Sequence, residues 1–334
     1  MTKLKFLTIS LLSILLISLL GGSLIWQLLG MARTLDIEGE AALVHDQSPN
    51  IGEGWEYYGG DAGGNRYSNA NQITRENVTN LTKAWEFDTQ AFNGREHAKN
   101  RSAFENTPIL VEDSLIVCTQ FNDIIALEPD TGKERWRFNP KVDLEARPAN
   151  GYKCRGVAYW QSTTATPEQH CASRIFTGTG DSRLIAVDAK SGKLCEGFGD
   201  GGQVALDVGM PLRWPGEFQI TSAPVVVNDV LITGSAISDN LRTEAPRGTV
   251  FAFDATSGEP LWTFNPVPQD ASDPASDTWQ AGSAQLTGHA NVWSSMSADP
   301  ERGLVFLPTS SPSPDYYGGN RVGDNRYANS LVAL

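Results

Sequence analysis

The chain has 334 residues, with 26 Lys and Arg against 39 Asp and Glu, a formal net charge of -13. That acidity, with no basic stripe, excludes nucleic acid as a partner class and describes a soluble, acidic body. Its 32 Gly, 18 Pro and nine Trp are the composition of a globular β protein, long enough for one large or two ordinary domains.

The first element in chain order is apolar. Residues 6–32 run for 27 positions without a charge, long enough to cross a bilayer. Lys3 and Lys5 precede the run, so the positive-inside rule keeps the N-terminus in the cytoplasm and sends the rest outward. A cleaved signal peptide is the competing reading. The run exceeds a usual signal core and "GMARTL" offers no A-x-A cleavage site, which favours an uncleaved anchor. Residues 1–33 are therefore read as anchor or signal segment, 34–50 as linker and 51–334 as an exported body, in a bacterial periplasm.

Strand patterns fill that body: "TPILVEDSLIVCT", "SRIFTGTG", "APVVVNDVLITGS" and "GLVFLPTS". Among them one phrase recurs, as "NDIIALEPDTGKERWRF", "SRLIAVDAKSGKLCEGF" and "GTVFAFDATSGEPLWTF", and begins again as "NSLVAL" before Leu334. In each complete copy an Ala (Ala126, Ala186, Ala252) precedes a Gly (Gly132, Gly192, Gly258) by six residues. Apolar alternation on both sides of a Gly-containing turn predicts a hairpin. Copies recur after 60, 66 and 81 residues, so the chain is a repeat array of small antiparallel sheets. A β-propeller is the arrangement that best protects such sheet edges, with Trp136 and Trp262 packed between adjacent blades. A non-closing β-sandwich repeat is the alternative.

"GFGDGG" at 197–202 matches GxGxxG by letter but runs into "QVALDV", a strand pattern, so it lacks the helix a dinucleotide loop requires. The four Cys suit an oxidising compartment. Cys154 and Cys171 flank a Ser-, Thr- and Pro-rich loop and could bridge it. Cys118 reads as buried strand packing, and Cys195 stands one place before the repeat's Trp position. Without CxxC, and with His45, His97, His170 and His289 scattered, a zinc site is not expected.

The phrase A-x-D-x-x-[TS]-G-x-x-x-W is similar to the tryptophan-docking motif of the pyrroloquinoline quinone (PQQ)-dependent dehydrogenases. Residues 54–87, "GWEYYGGDAGGNRYSNANQIT" followed by "NVTNLTKAWEF", resemble that family's opening blade. "CRGVAYW", "GHANVWSSMSADPERGLVFLPTSSPSPDYYGG" and "RVGDNRYANSLVAL" resemble its membrane-bound glucose, polyol and quinate dehydrogenase branch. The resemblance covers residues 50 to 334. It implies an all-β, eight-bladed propeller of which about half is present here, preceded by one transmembrane helix. Such a part, expressed alone, is expected to aggregate and to be inactive.

The resemblance further implies a quinoprotein dehydrogenase that oxidises a sugar, polyol or cyclic hydroxy acid and passes electrons to membrane ubiquinone at the inner membrane. Asp324 matches the catalytic aspartate that accepts the hydroxyl proton, although alone it would read as a turn residue. Asp239, Asn240, Ser311 and Asp324 match the cation site, whose oxygen donors suit Ca²⁺ or Mg²⁺. Ser311 stands where methanol-oxidising relatives carry Asn. Trp293 matches the ring under the cofactor, Arg155 a partner for its carboxylates, and Glu105 and Thr221 polar contacts. The vicinal Cys pair of some relatives is missing, and "ANGYK" lacks the His that glucose-oxidising members carry. A non-enzymatic propeller scaffold of the outer-membrane assembly type is the alternative from another class.

Overall fold

The computed structural model describes residues 54–143, 148 and 150–334; the predicted anchor and linker lie outside the described residues. No described helix is long and apolar enough to cross a membrane. The architecture is a succession of small antiparallel sheets. The first joins β1 (Ile109–Val111), β2 (Ser114–Cys118), β3 (Ile124–Leu127) and β4 (Glu134–Phe138) in that order. The second joins β5 (Ala158–Gln161), β6 (Ser173–Gly178), β7 (Arg183–Asp188) and β8 (Gln203–Ala205).

A two-stranded pair, β9 (Phe218–Gln219) with β12 (Ala236–Ile237), flanks the third sheet. That sheet is built from β10 (Val225–Val227), β11 (Val230–Thr233), β13 (Val250–Asp254) and β14 (Pro260–Phe264). The fourth holds β15 (Ser297–Asp299), β16 (Leu304–Pro308) and β17 (Leu331–Ala333).

Burial explains why the strands read as they do. Inner strands β3 and β13 are buried along "IIAL" and "VFAF", so they are near-continuous apolar runs. Outer strands β4 and β14 share an alternating pattern in which the Trp and the last Phe are half-buried. Three apolar clusters lie between successive sheets. Ile116, Ile124 and Val187 belong to the first, Phe176, Phe198 and Phe251 to the second, Val225, Val305 and Leu307 to the third. Each sheet thus buries its faces against its neighbours, as propeller blades do.

The repeated turn holds the blades together. Trp85 Nε1 donates to the Pro129 carbonyl at 2.9 Å, and Trp136 Nε1 to Ala189, the equivalent position of the next turn, at 3.2 Å. Each indole lies flat on the turn glycine: a Cβ at Gly132 or Gly192 would stand 2.4 Å from the Cε3 of Trp85 or Trp136. The turn carboxylates are fixed as well. Asp188 and Asp254 accept the backbone N–H of Ser191 and Ser257 at 2.8 and 2.6 Å.

Three expectations need correction. The second copy is not a complete hairpin: after an isolated Val187–Leu194 bridge, β7 takes its outer partner from β8 at 203–205. Exposed Glu196 stands where the other copies carry Trp, and the Gly-rich stretch at 197–202 interrupts the strand. Residues 54–87 form no sheet of their own; Trp55 bridges to Leu110 and Trp85 docks on the first blade. Finally, the disulfides are Cys118–Cys154 and Cys171–Cys195, not Cys154–Cys171.

Candidate functional site

A cavity of about 210 Å³ opens between the blades, lined by Asn150, Lys153, Arg155, Thr221, Ala236, Asp239, Asn291 and Trp293. Its cationic wall is the run 152–155, which is in no strand but is laced to its surroundings. Tyr152 N–H donates to Arg101, Thr107 N–H to the Arg155 carbonyl, and Arg155 N–H to the Thr221 carbonyl, at 2.8, 2.9 and 2.9 Å. Cys154, buried between the two cations, is bonded to Cys118 on β2. Extended backbone alternates its side chains, so anchoring Cys154 inward turns Lys153 and Arg155 together toward the cavity.

Arg155 is held on three sides. Its Nη1 donates to Thr221 Oγ1 at 2.7 Å, its Nη2 pairs with Glu105 Oε2 at 3.0 Å, and its guanidinium lies 5.4 Å from the Trp293 ring centre. Glu105 also takes Lys153, Nζ to Oε1 at 3.1 Å. Glu105 therefore acts through the two cations; it does not line the cavity. Trp293 is 48% exposed, far more than a packing residue, and Ser222 Oγ donates to its carbonyl. Its face is available for stacking a flat ring.

Asp239 brings negative charge to the same cavity. Asp239, Asp315 and His289 place ligand-type atoms within 4.8 Å of one another. Burial, then the Asp315 carboxylate, raises the Asp239 pKa above the usual carboxylate range, and His289 opposes that shift. His289 is buried with Nδ1 3.4 Å from Asp315 Oδ1, and its Nε2 has no partner among the described residues. Two carboxylates that repel each other beside an imidazole fit a divalent cation with mainly oxygen donors.

The sequence-predicted residues divide. Arg155, Thr221, Trp293 and Asp239 come together at the cavity, and Glu105 stands behind its cations. Asn240 orients Asp315, accepting its N–H at 2.9 Å. Ser311 Oγ instead accepts from Arg321 Nη2 at 3.2 Å, a cation that would compete with a metal there. Asp324 is exposed, belongs neither to the cavity lining nor to the carboxylate cluster, and is not among the charges acting on Asp239. Lys153, Asn150, His289, Asn291 and Asp315 were missed. A signal for one of them was present: Asn291 stands two residues before Trp293, and both line the cavity.

A second cluster, His170, Cys171 and Asp188, offers no metal site, because Cys171 is consumed in its disulfide and Asp188 caps its own turn.

Blades joined through tryptophan, with a cationic, tryptophan-lined cavity between them, define an all-β, propeller-like fold. The family model described as PQQ glucose/ethanol/alcohol dehydrogenase, beta-propeller domain, matches residues 55–334, and the chain belongs to that family. It is 39% identical over 289 residues to the glycerol dehydrogenase large subunit of Gluconobacter oxydans (strain 621H), covering 86% of this chain and 38% of that protein. Against the quinate/shikimate dehydrogenase (quinone) of Acinetobacter baylyi it is 35% identical over 297 residues, covering 84% and 36%. Quinohemoprotein alcohol dehydrogenase from Comamonas testosteroni superposes with a TM-score of 0.66 at 27% identity, over 84% of this chain and 39% of that one. The chain thus spans well under half the length of these relatives.

Proposed function

We propose that the protein is a PQQ-dependent dehydrogenase that oxidises a hydroxyl group of a sugar, polyol or cyclic hydroxy acid and passes the electrons to membrane quinone. The observation that carries this reading is the cavity itself: Arg155, Lys153, Trp293 and Asp239 line it together, with the Arg155 guanidinium over the Trp293 ring. When bound, PQQ supplies an electrophilic quinone that takes two electrons and two protons as CH–OH becomes C=O.

The chain's own residues do the rest. Arg155, locked by Glu105 and Thr221, addresses a carboxylate of the cofactor with a charge-assisted bond. Trp293 supports a planar ring, and the buried neighbours Thr221 and Asn291 keep solvent from the cavity floor. Asp239 and Asp315 would hold Ca²⁺ or Mg²⁺, and Asp239, the carboxylate that lines the cavity, would accept the hydroxyl proton. A periplasmic location on the inner membrane suits two disulfides in one chain and the apolar run near the N-terminus. A scaffold without activity has no use for these groups in one cavity.

Reconstitution of the full-length protein with PQQ and Ca²⁺ or Mg²⁺, followed by dye reduction with glucose, glycerol and quinate, tests the reading. Turnover of at least one that disappears on omitting PQQ supports it. Absence of turnover on every hydroxyl substrate by a protein that has bound the cofactor defeats it.

A further inference from the structure

The two cations of the cavity are not equivalent. Arg155 is committed to Glu105, to Thr221 and to the face of Trp293. Lys153 has one acceptor among the described residues, Glu105 Oε1 at 3.1 Å, although an ammonium group offers three donors. Its side chain is only 18% exposed, and what it meets is the cavity. Glu105 is one charge shared by two cations, so the Glu105–Lys153–Arg155 group keeps one net positive charge beside the cavity. Asp239, which also lines the cavity, clusters with Asp315 and His289 and makes no ion pair with Lys153. A half-buried ammonium with two uncommitted donors lining a cavity is a site for an anion.

We propose that Lys153 is the carboxylate-recognising residue of this cavity: its two uncommitted donors bind a carboxylate of the ligand that fills it. The inference rests on the function proposed above and adds a residue and a ligand chemistry to it. That carboxylate has two sources, the tricarboxylate cofactor or a hydroxy-acid substrate, and both present the same group to the same donors. Glu105 is then a positioning residue, because it fixes Lys153 beside Arg155 without lining the cavity.

The test compares the parent with Lys153→Met, which keeps the stem and removes the charge, and Lys153→Arg, which restores it. PQQ affinity is read by quenching of tryptophan fluorescence, and KM for quinate and for glycerol is read at saturating cofactor. A rise of about tenfold in the PQQ Kd of Lys153→Met, with both KM values unchanged, assigns the carboxylate to the cofactor. A similar rise in KM for quinate alone assigns it to the substrate. In either case Lys153→Arg recovers most of the loss, and the melting temperature of all three proteins stays the same. All affinities within about twofold of the parent overturn the inference, as does a loss that Lys153→Arg fails to recover. Lys153-dependent PQQ binding without oxidation of any alcohol would sink the functional reading alone. Failure of the parent to bind PQQ overturns both.

Discussion

Arg174 Nη1 donates to the Ala255 carbonyl at 2.9 Å, the place in its turn where Trp136 reaches Ala189 in the preceding one. The second repeat has no docking tryptophan, and a guanidinium from inside the blade does the same work. Arg174 also donates to Thr256 and Cys171 and stacks 5.3 Å from the Trp160 ring centre. The backbone of Gly199 fills the rest of the space, 2.6 Å from where a Gly258 Cβ would stand. Removing the guanidinium leaves two turn carbonyls without their donor. Arg174→Ala is expected to lower unfolding free energy by about 2–4 kcal/mol in denaturant melts, with Arg174→Lys recovering part. A loss below about 0.5 kcal/mol would show that Gly199 alone closes this interface.

The tryptophan dock itself should be strongly coupled. Gly192 has φ +67° and lies under Trp136, so Gly192→Ala brings both backbone strain and a clash. It is expected to cost about 2–4 kcal/mol, and Trp136→Ala about 3–5 kcal/mol. In the double variant the clash has nothing to meet, so the combined loss should fall short of the sum by more than about 1 kcal/mol. Additive losses would mean that the indole is not seated on the turn.

Asp188 gives the fold an acid limit. Burial alone would raise its pKa, but the hydroxyl and N–H of Ser191, at 2.6 and 2.8 Å, and the Cys171 N–H, at 2.7 Å, hold it below the usual value. A carboxylate depressed in the folded state stabilises above its unfolded pKa, about 3.9, and the contribution disappears as pH falls through the folded value. Asp188→Asn should therefore be about 1–3 kcal/mol less stable than the parent at pH 7, with the difference narrowing below about pH 4. A difference that does not change with pH would contradict this origin.

The carboxylate pair predicts a cation response. Ca²⁺ or Mg²⁺ should raise the melting temperature of the protein, by the equivalent of about 2.7 kcal/mol at a hundredfold excess over Kd. Asp239→Asn and Asp315→Asn should each remove that response. Asp324→Asn should leave it intact, since Asp324 lies outside the cluster. Retention of the response in Asp239→Asn would place the ion elsewhere.

Much of this molecule was legible in order of residues. The Ala-to-Gly spacing and the Trp gave the blade, its turn and its neighbour contact, because period-2 burial and a docking aromatic leave a local signature. What could not be read was local patterning overruled by distant contacts. Cys195 and Cys171 pair across the blade that "GFGDGG" interrupts, and Arg174 substitutes for a Trp from a different strand. Arg155, Trp293 and Asp239, singled out from their motifs, line one cavity, whereas Lys153 sits in no motif and is distinguished only by Glu105 beside it. Asp324 was singled out from its motif as well, and its side chain is exposed and lies outside the carboxylate cluster.

The covalent link between Cys118 and Cys154 has a consequence for biogenesis. It ties the run that presents both cavity cations to a strand of the first blade. Under reducing conditions this run would be fastened only by its backbone bonds and by Glu105 and Thr221. Under the function proposed above, cofactor loading would then depend on oxidative maturation, and protein recovered from a reducing cytosol should gain affinity for PQQ once its thiols are oxidised.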